Sequence, residues 1–217
     1  MRGLIIKDLI NLKKNIRIYL VFIVLYGVLA YMQEDAAFFG SIFTLLFSLL
    51  TITTYSYDEL AKWDEFALST PVSRDAIVKS KYIIMILLIG VGAGVSLLFT
   101  VVLNSILKKD NLITGGEICL AVAAISILYY TIIIPIITKK GSEKARLIFI
   151  AIYMIPFMIG LLTKKMLEKG EVKIPAVIIR GGEIFLQHIY LIVPAILIVA
   201  VAISYVISLG IYRKKEF

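Results

Sequence analysis

The side chains most often recruited for nucleophilic and metal chemistry, histidine and cysteine, occur once each in this 217-residue sequence, as His188 and Cys119. A catalytic nucleophile needs a base beside it, and a metal site needs several ligands at defined spacing. No His-Glu-x-x-His occurs and no second histidine exists to build one. His188 stands at the start of an apolar run, where packing at a membrane boundary accounts for it. Cys119 lies inside another such run, can form no intrachain disulfide and reads as a small core residue. Lys140-Gly141-Ser142 lacks the upstream glycines that cradle phosphates in a nucleotide-binding loop. Catalysis within the chain is disfavoured, and neither a metal nor a cofactor is expected in it.

Polar chemistry concentrates instead between Tyr57 and Lys81. This stretch carries the only tryptophan, Trp63, and five of the fifteen acidic residues: Asp58, Glu59, Asp64, Glu65 and Asp75. Leu60, Trp63, Phe66 and Ala67 recur at helical spacing, with acids at other positions around the same turn, so a short amphipathic helix is expected. Thr70-Pro71 should end it, because proline supplies no backbone donor and crowds the preceding turn. Ser73 is placed to cap a following helix, with Asp75 in its first turn. The pattern is helix, break, helix.

The elements around this stretch are apolar. Hydrophobic residues make up 60% of the chain and charged residues 18%, more grease than one soluble core can hide but natural for several runs near the roughly 20 residues that cross a bilayer. Met1 to Arg17 places Ile5, Leu9, Leu12 and Ile16 at helical spacing among five basic residues, the pattern of an interfacial helix on an anionic surface. Ile18 to Met32 is short for a span. A basic start and Val28-Leu29-Ala30 partly resemble a cleaved leader, but the segment is expected to be span one. Further spans are expected over 37–55, 82–107, 118–138, 147–163 and 189–211. Sixteen basic residues fall on the face with both termini and seven on the other, which places both termini in the cytoplasm. Basic residues beside apolar runs set orientation, so the net charge of +8 is no sign of nucleic acid. No basic or acidic residue falls within a span, so the intramembrane relay typical of ion-coupled transporters is missing. Energy for active transport would have to enter from outside the bilayer.

Within the spans, Gly90-x-x-x-Gly94, with Gly92 and Ser96 on a neighbouring strip, allows close helix approach, for which packing inside the chain is the default. Pro135, Pro156 and Pro194 are able to kink their helices. Ser48, Thr51, Thr53 and Thr54 either line a path or, by default, bond back to carbonyls one turn earlier. The segment 164–187, too short to span and too apolar for a free loop, is expected to form short external helices that dip into the outer leaflet.

Several of these stretches carry a family likeness. Tyr57-Asp58-Glu59, Lys62-Trp63-Asp64, Leu68 through Arg74 with Thr70-Pro71-Val72-Ser73, and Lys79-Ser80-Lys81-Tyr82 resemble the small six-span permeases of the ABC-2 type. So do the opening Gly3-Leu4-Ile5-Ile6-Lys7-Asp8-Leu9 and the ending Tyr212-Arg213-Lys214-Lys215-Glu216-Phe217. Within that family the length and loop pattern are most similar to permease subunits of phenol-soluble modulin exporters; related small permeases also serve bacteriocin and antibiotic export. The resemblance implies one all-α transmembrane domain over 1–217. Its parts would be an elbow helix over 1–17, six spans, a coupling helix in the cytoplasmic segment 57–81, and short external helices in the re-entrant region 164–187. It also implies a homodimer with two cytoplasmic ATPase subunits that carry the ATP and magnesium, in a bacterial plasma membrane.

The leading expectation is therefore the membrane subunit of an ATP-driven exporter, with Asp58, Glu59, Leu60, Trp63, Asp64, Glu65 and Phe66 docking the ATPase. Apolar side chains there would supply contact area, and acids would pair with basic residues of the partner. Acids also argue against the rival placement of this helix on inner-leaflet lipid, which is anionic. An interior without charge suits amphipathic peptide or lipid-like cargo. The other reading is a non-transporting scaffold or sensor that binds a cytoplasmic partner; an intramembrane enzyme is remote.

Overall fold

The computed structural model describes residues 2–108, 112–168 and 189–215. Within them the chain forms α1 (Arg2–Leu12), a 3-10 turn (Lys13–Asn15), α2 (Ile16–Gln33), α3 (Ala36–Leu60), α4 (Trp63–Leu68), α5 (Arg74–Leu107), α6 (Leu112–Lys140), α7 (Ser142–Glu168) and α8 (Ile189–Arg213), with no strand. Segment 169–188, the greater part of the expected external helices, lies outside the described residues, as does His188. Residues 164–168 continue α7.

Local chemistry explains the boundaries. Asp35 starts α3 by accepting from the Phe38 amide at 3.0 Å. Ser73 starts α5 by accepting from Ala76 at 3.2 Å, with Asp75 in the first turn, so the expected cap is formed. The single short helix expected through Leu60, Trp63, Phe66 and Ala67 is divided. Residues 58–60 belong to the last turn of α3, Lys62 takes a left-handed conformation at φ 47°, and α4 begins at Trp63. Its expected apolar face divides too: Ala67 is buried and Trp63 half-buried, whereas Leu60 and Phe66 point outward.

α3 and α5 form the centre of the bundle, with α6 against both and α8 chiefly against α6. Gly92 makes the α3–α5 approach possible: a Cβ there would lie 2.7 Å from the Cβ of Phe47 and 3.1 Å from the Cα of Thr44. Gly90 and Gly94 meet nothing within 4 Å, so the close packing runs on the neighbouring strip through Gly92 and Ser96.

The interior mixes apolar clusters with many small hydroxyls, and the exterior is apolar, unlike the polar surface of a soluble domain. Thr44, Ser48, Thr51, Ser96, Ser126 and Ser208 are fully buried, while Val24, Leu98, Ile198 and Val206 are exposed. An apolar exterior suits lipid, and small hydroxyls between helices allow close approach. Most hydroxyls of α3 bond back as expected: Ser41 to Phe38, Ser48 to Leu45, Thr53 to Leu49 and Thr54 to Thr51. Thr44 and Thr51 are buried without a hydrogen-bond partner among the described residues. Between α5 and α8, the Tyr82 hydroxyl lies 2.6 Å from Ser204 Oγ and 2.8 Å from Ser208 Oγ.

Among the described residues, four helices are long and apolar enough to cross a bilayer: α3, α5, α6 and α8. A fifth crossing arises if α1 and α2, bent by 56° at the 3-10 turn, count together.

Candidate functional site

At the end of the bundle where both chain ends lie, four charged side chains alternate in a closed ring. Asp8 comes from α1, Asp58 from the last turn of α3, Lys81 from the second turn of α5, and Lys7 adjoins Asp8. Lys81 Nζ lies 3.0 Å from Asp8 Oδ2 and 2.6 Å from Asp58 Oδ2. Lys7 Nζ bonds Asp58 Oδ1 and lies 3.1 Å from Asp8 Oδ1, an ion pair whose alignment falls short of a hydrogen bond. Asp8 is 1% exposed, Lys81 5% and Asp58 8%. Charges this buried are tolerable because each has two opposite partners and the ring is neutral. It fastens the middle of α1 and the start of α5 to the end of α3.

Aromatic rings extend the ring of charge. Lys7 Nζ sits 4.2 Å from the Trp63 ring centre, and Lys81 Nζ 5.0 Å from that of Tyr55, placements in which a cation is attracted to the ring face. Trp63 is thereby held inward, its ring 5.4 Å from that of Phe66.

Three further acids of the segment, Glu59, Asp64 and Asp75, have partners within the chain. Glu59 accepts from the Ser142 amide at 2.7 Å and from the Ser142 hydroxyl at 2.6 Å. Asp64 accepts from the Tyr212 hydroxyl at 2.9 Å and lies 3.8 Å from Lys215 Nζ. Asp75 takes a two-pronged bond from Arg213, at 3.1 and 2.7 Å, and Arg74 donates to the carbonyls of Tyr212 and Arg213. A cavity of about 30 Å³, room for one water, lies between Tyr55, Asp58, Asp64, Lys81, Thr138 and Tyr212.

Of the seven residues singled out from sequence, the structure thus engages Asp58, Glu59 and Asp64 in contacts within the chain and half-buries Trp63. It leaves Leu60 at 83% exposure, Phe66 at 58% and Glu65 exposed. An open groove of about 330 Å³ beside Leu60 is lined by Asn11, Lys14, Tyr57 and Ala61. The partners missed from sequence are Lys7, Asp8, Lys81, Ser142, Tyr212 and Arg213. Asp8 carried a signal, as an acid four residues from both Leu4 and Leu12. The buried face of α1 is Leu4, Asp8 and Leu12, one position away from the face expected through Ile5 and Leu9.

Cys119 accepts a hydrogen bond from Ser96 at 2.9 Å and is buried. Lys140-Gly141-Ser142 forms the junction of α6 and α7. Among the described residues no group of three or more histidine, cysteine, aspartate or glutamate side chains is placed to hold a metal ion.

The apolar exterior and the long apolar helices define a multi-pass membrane protein built wholly of helices in its described residues. The chain belongs to the ABC-2 family transporter protein family, whose model matches residues 3–213, and such chains are transmembrane components of transporters. No curated protein matches it in sequence.

Proposed function

We propose that this chain is the permease of an ATP-driven exporter and that the segment from Asp58 to Phe66 docks a cytoplasmic ABC ATPase. One observation carries the reading: Leu60 and Phe66 leave large apolar side chains uncovered on a segment held firmly from behind. The charge ring, Glu59 and Asp64 fix its position, and Trp63 packs beneath it. A partner would gain apolar area from Leu60 and Phe66 without having to order them first, the condition under which a few anchors dominate binding. Glu65, exposed beside them, adds a charge for basic residues of the partner. Asp58, Glu59, Asp64 and Trp63 serve the same docking from within by setting the shape of the segment.

In this reading α1 is the interfacial elbow, and α2, α3, α5, α6, α7 and α8 are six spans with both termini in the cytoplasm. Two copies assemble with two ATPase subunits, which hold ATP and magnesium. Amphipathic peptides or lipid-like molecules are the cargo, favoured by a bundle whose described interior places its ionised groups at one end. The setting is a bacterial plasma membrane.

Co-purification tests the docking. L60A/F66A should reduce recovery of an ABC ATPase with the permease about tenfold, the equivalent of ~1.4 kcal/mol, while the permease still reaches the membrane. Full-strength pairing of this variant refutes the docking. ATP turnover stimulated by an amphipathic peptide separates an exporter from a scaffold, which would bind the ATPase without that stimulation.

A further inference from the structure

Glu59 is oddly placed for its own helix. It lies in the last turn of α3, where carbonyls leave a partial negative charge and a carboxylate is unfavourable. The same carboxylate faces the opposite end of another helix: both its oxygens accept from Ser142, the first residue of α7. There the free amides and the helix dipole favour an anion. Gly141 makes the approach possible. Its amide donates to Ile137 to close α6 at 2.8 Å, and its carbonyl accepts from Ala145 to open α7. Two helices therefore meet across one residue at φ 87°, with Glu59 Oε1 3.4 Å from where a side chain would begin. One turn along each helix, Arg146 donates to Ser56 Oγ at 3.2 Å.

We infer that Glu59 is a positioning residue that pins the docking segment to the first turn of α7, so that displacement of the segment is carried into α7. This rests on the docking reading above and deepens it. Ala145, Ile148 and Phe149 also pack α7 on the core, but apolar contacts tolerate sliding, whereas two directed hydrogen bonds to one residue fix position along the helix. Glu59 is solvent-exposed and adjoins Leu60, so the pin lies at the edge of the docking surface.

Spin labels at Lys62→Cys and Leu147→Cys, both exposed positions, report the junction, and Cys119 is buried and stays unlabelled. In the isolated permease in nanodiscs, one narrow label distance is expected, lost in E59A and kept in E59Q, because glutamine still accepts from the Ser142 amide. S142A, which retains that amide, should lose it in part, and E59A/S142A should be no worse than E59A, as expected for two halves of one contact. In the permease–ATPase complex the distance should hold on addition of a non-hydrolysable ATP analogue with magnesium, and change in E59A. An E59A distance as narrow as wild type overturns the pin. So does equal damage from E59A and E59Q with S142A silent, which would mark a charge acting on something else. Failure of the ATPase to bind the wild-type permease would strike the docking reading instead, since the isolated permease reports the pin without it.

Discussion

Removing Lys81 should do more damage than any surface substitution in this chain. It bridges Asp8 and Asp58, and its loss leaves two buried carboxylates with Lys7 alone, at the scale of about 3–5 kcal/mol for breaking a buried pair. K81M should accordingly unfold at markedly lower temperature in detergent, and adding D58N should restore part of the loss by removing one unpaired charge. If K81M melts with wild type, the ring contributes nothing to stability. The residue scale is also where sequence reading fell shortest. Asp58, Glu59 and Asp64 were visible as acids on a short polar stretch, and a partner protein was the natural destination for them. Within the chain they pair with residues 23 to 148 positions away, Lys81, Ser142 and Tyr212. Periodicity describes a helix face but not which distant helix it meets, and Asp8 was the lone local hint.

Helix caps were legible where they are local. Ser73, Asp75 and Pro71 set the start of α5 through neighbours within a few residues, and pattern reading recovers such short-range chemistry. The break at Lys62 was not legible, since a lysine has no preference for the left-handed region. It occurs because Asp58 faces Lys81 while Trp63 must turn under Lys7, demands that one straight helix does not meet. The α6–α7 junction gives a further prediction at this scale. At φ 87° alanine is strained where glycine is not, so G141A should cost about 1 kcal/mol from conformation alone, with crowding of Glu59 added. A thermal-melt comparison with G210A, which meets nothing within 4 Å, isolates that penalty; equal melting of the two variants would show that the junction is not strained.

For the whole molecule, apolar runs announced the membrane class and four of the six expected spans appear as long apolar helices, with α1 and α2 giving a fifth crossing if taken together. The buried hydroxyls follow from the same composition, because helices surrounded by lipid gain from close approach through Gly92 and small side chains. Orientation rests on the distribution of basic residues, and it predicts labelling. A cysteine replacing Leu60 should react with a membrane-impermeant maleimide only after cells are opened, whereas one replacing Asp35, at the α2–α3 turn, should react in intact cells. The opposite result would invert the topology.

The segment from Asp58 to Asp75 takes its anchors from positions 7 and 8 and from positions 212 and 213, so its surface is complete only when the last helix has been made. During synthesis, Asp64 and Asp75 wait for Tyr212 and Arg213, which emerge about 140 residues later. A chain truncated before α8 would expose the same Leu60 and Phe66 on a segment with one clamp missing. Such a chain, expressed beside an ABC ATPase, should recruit less of it than the full permease. Assembly would then select for finished permeases.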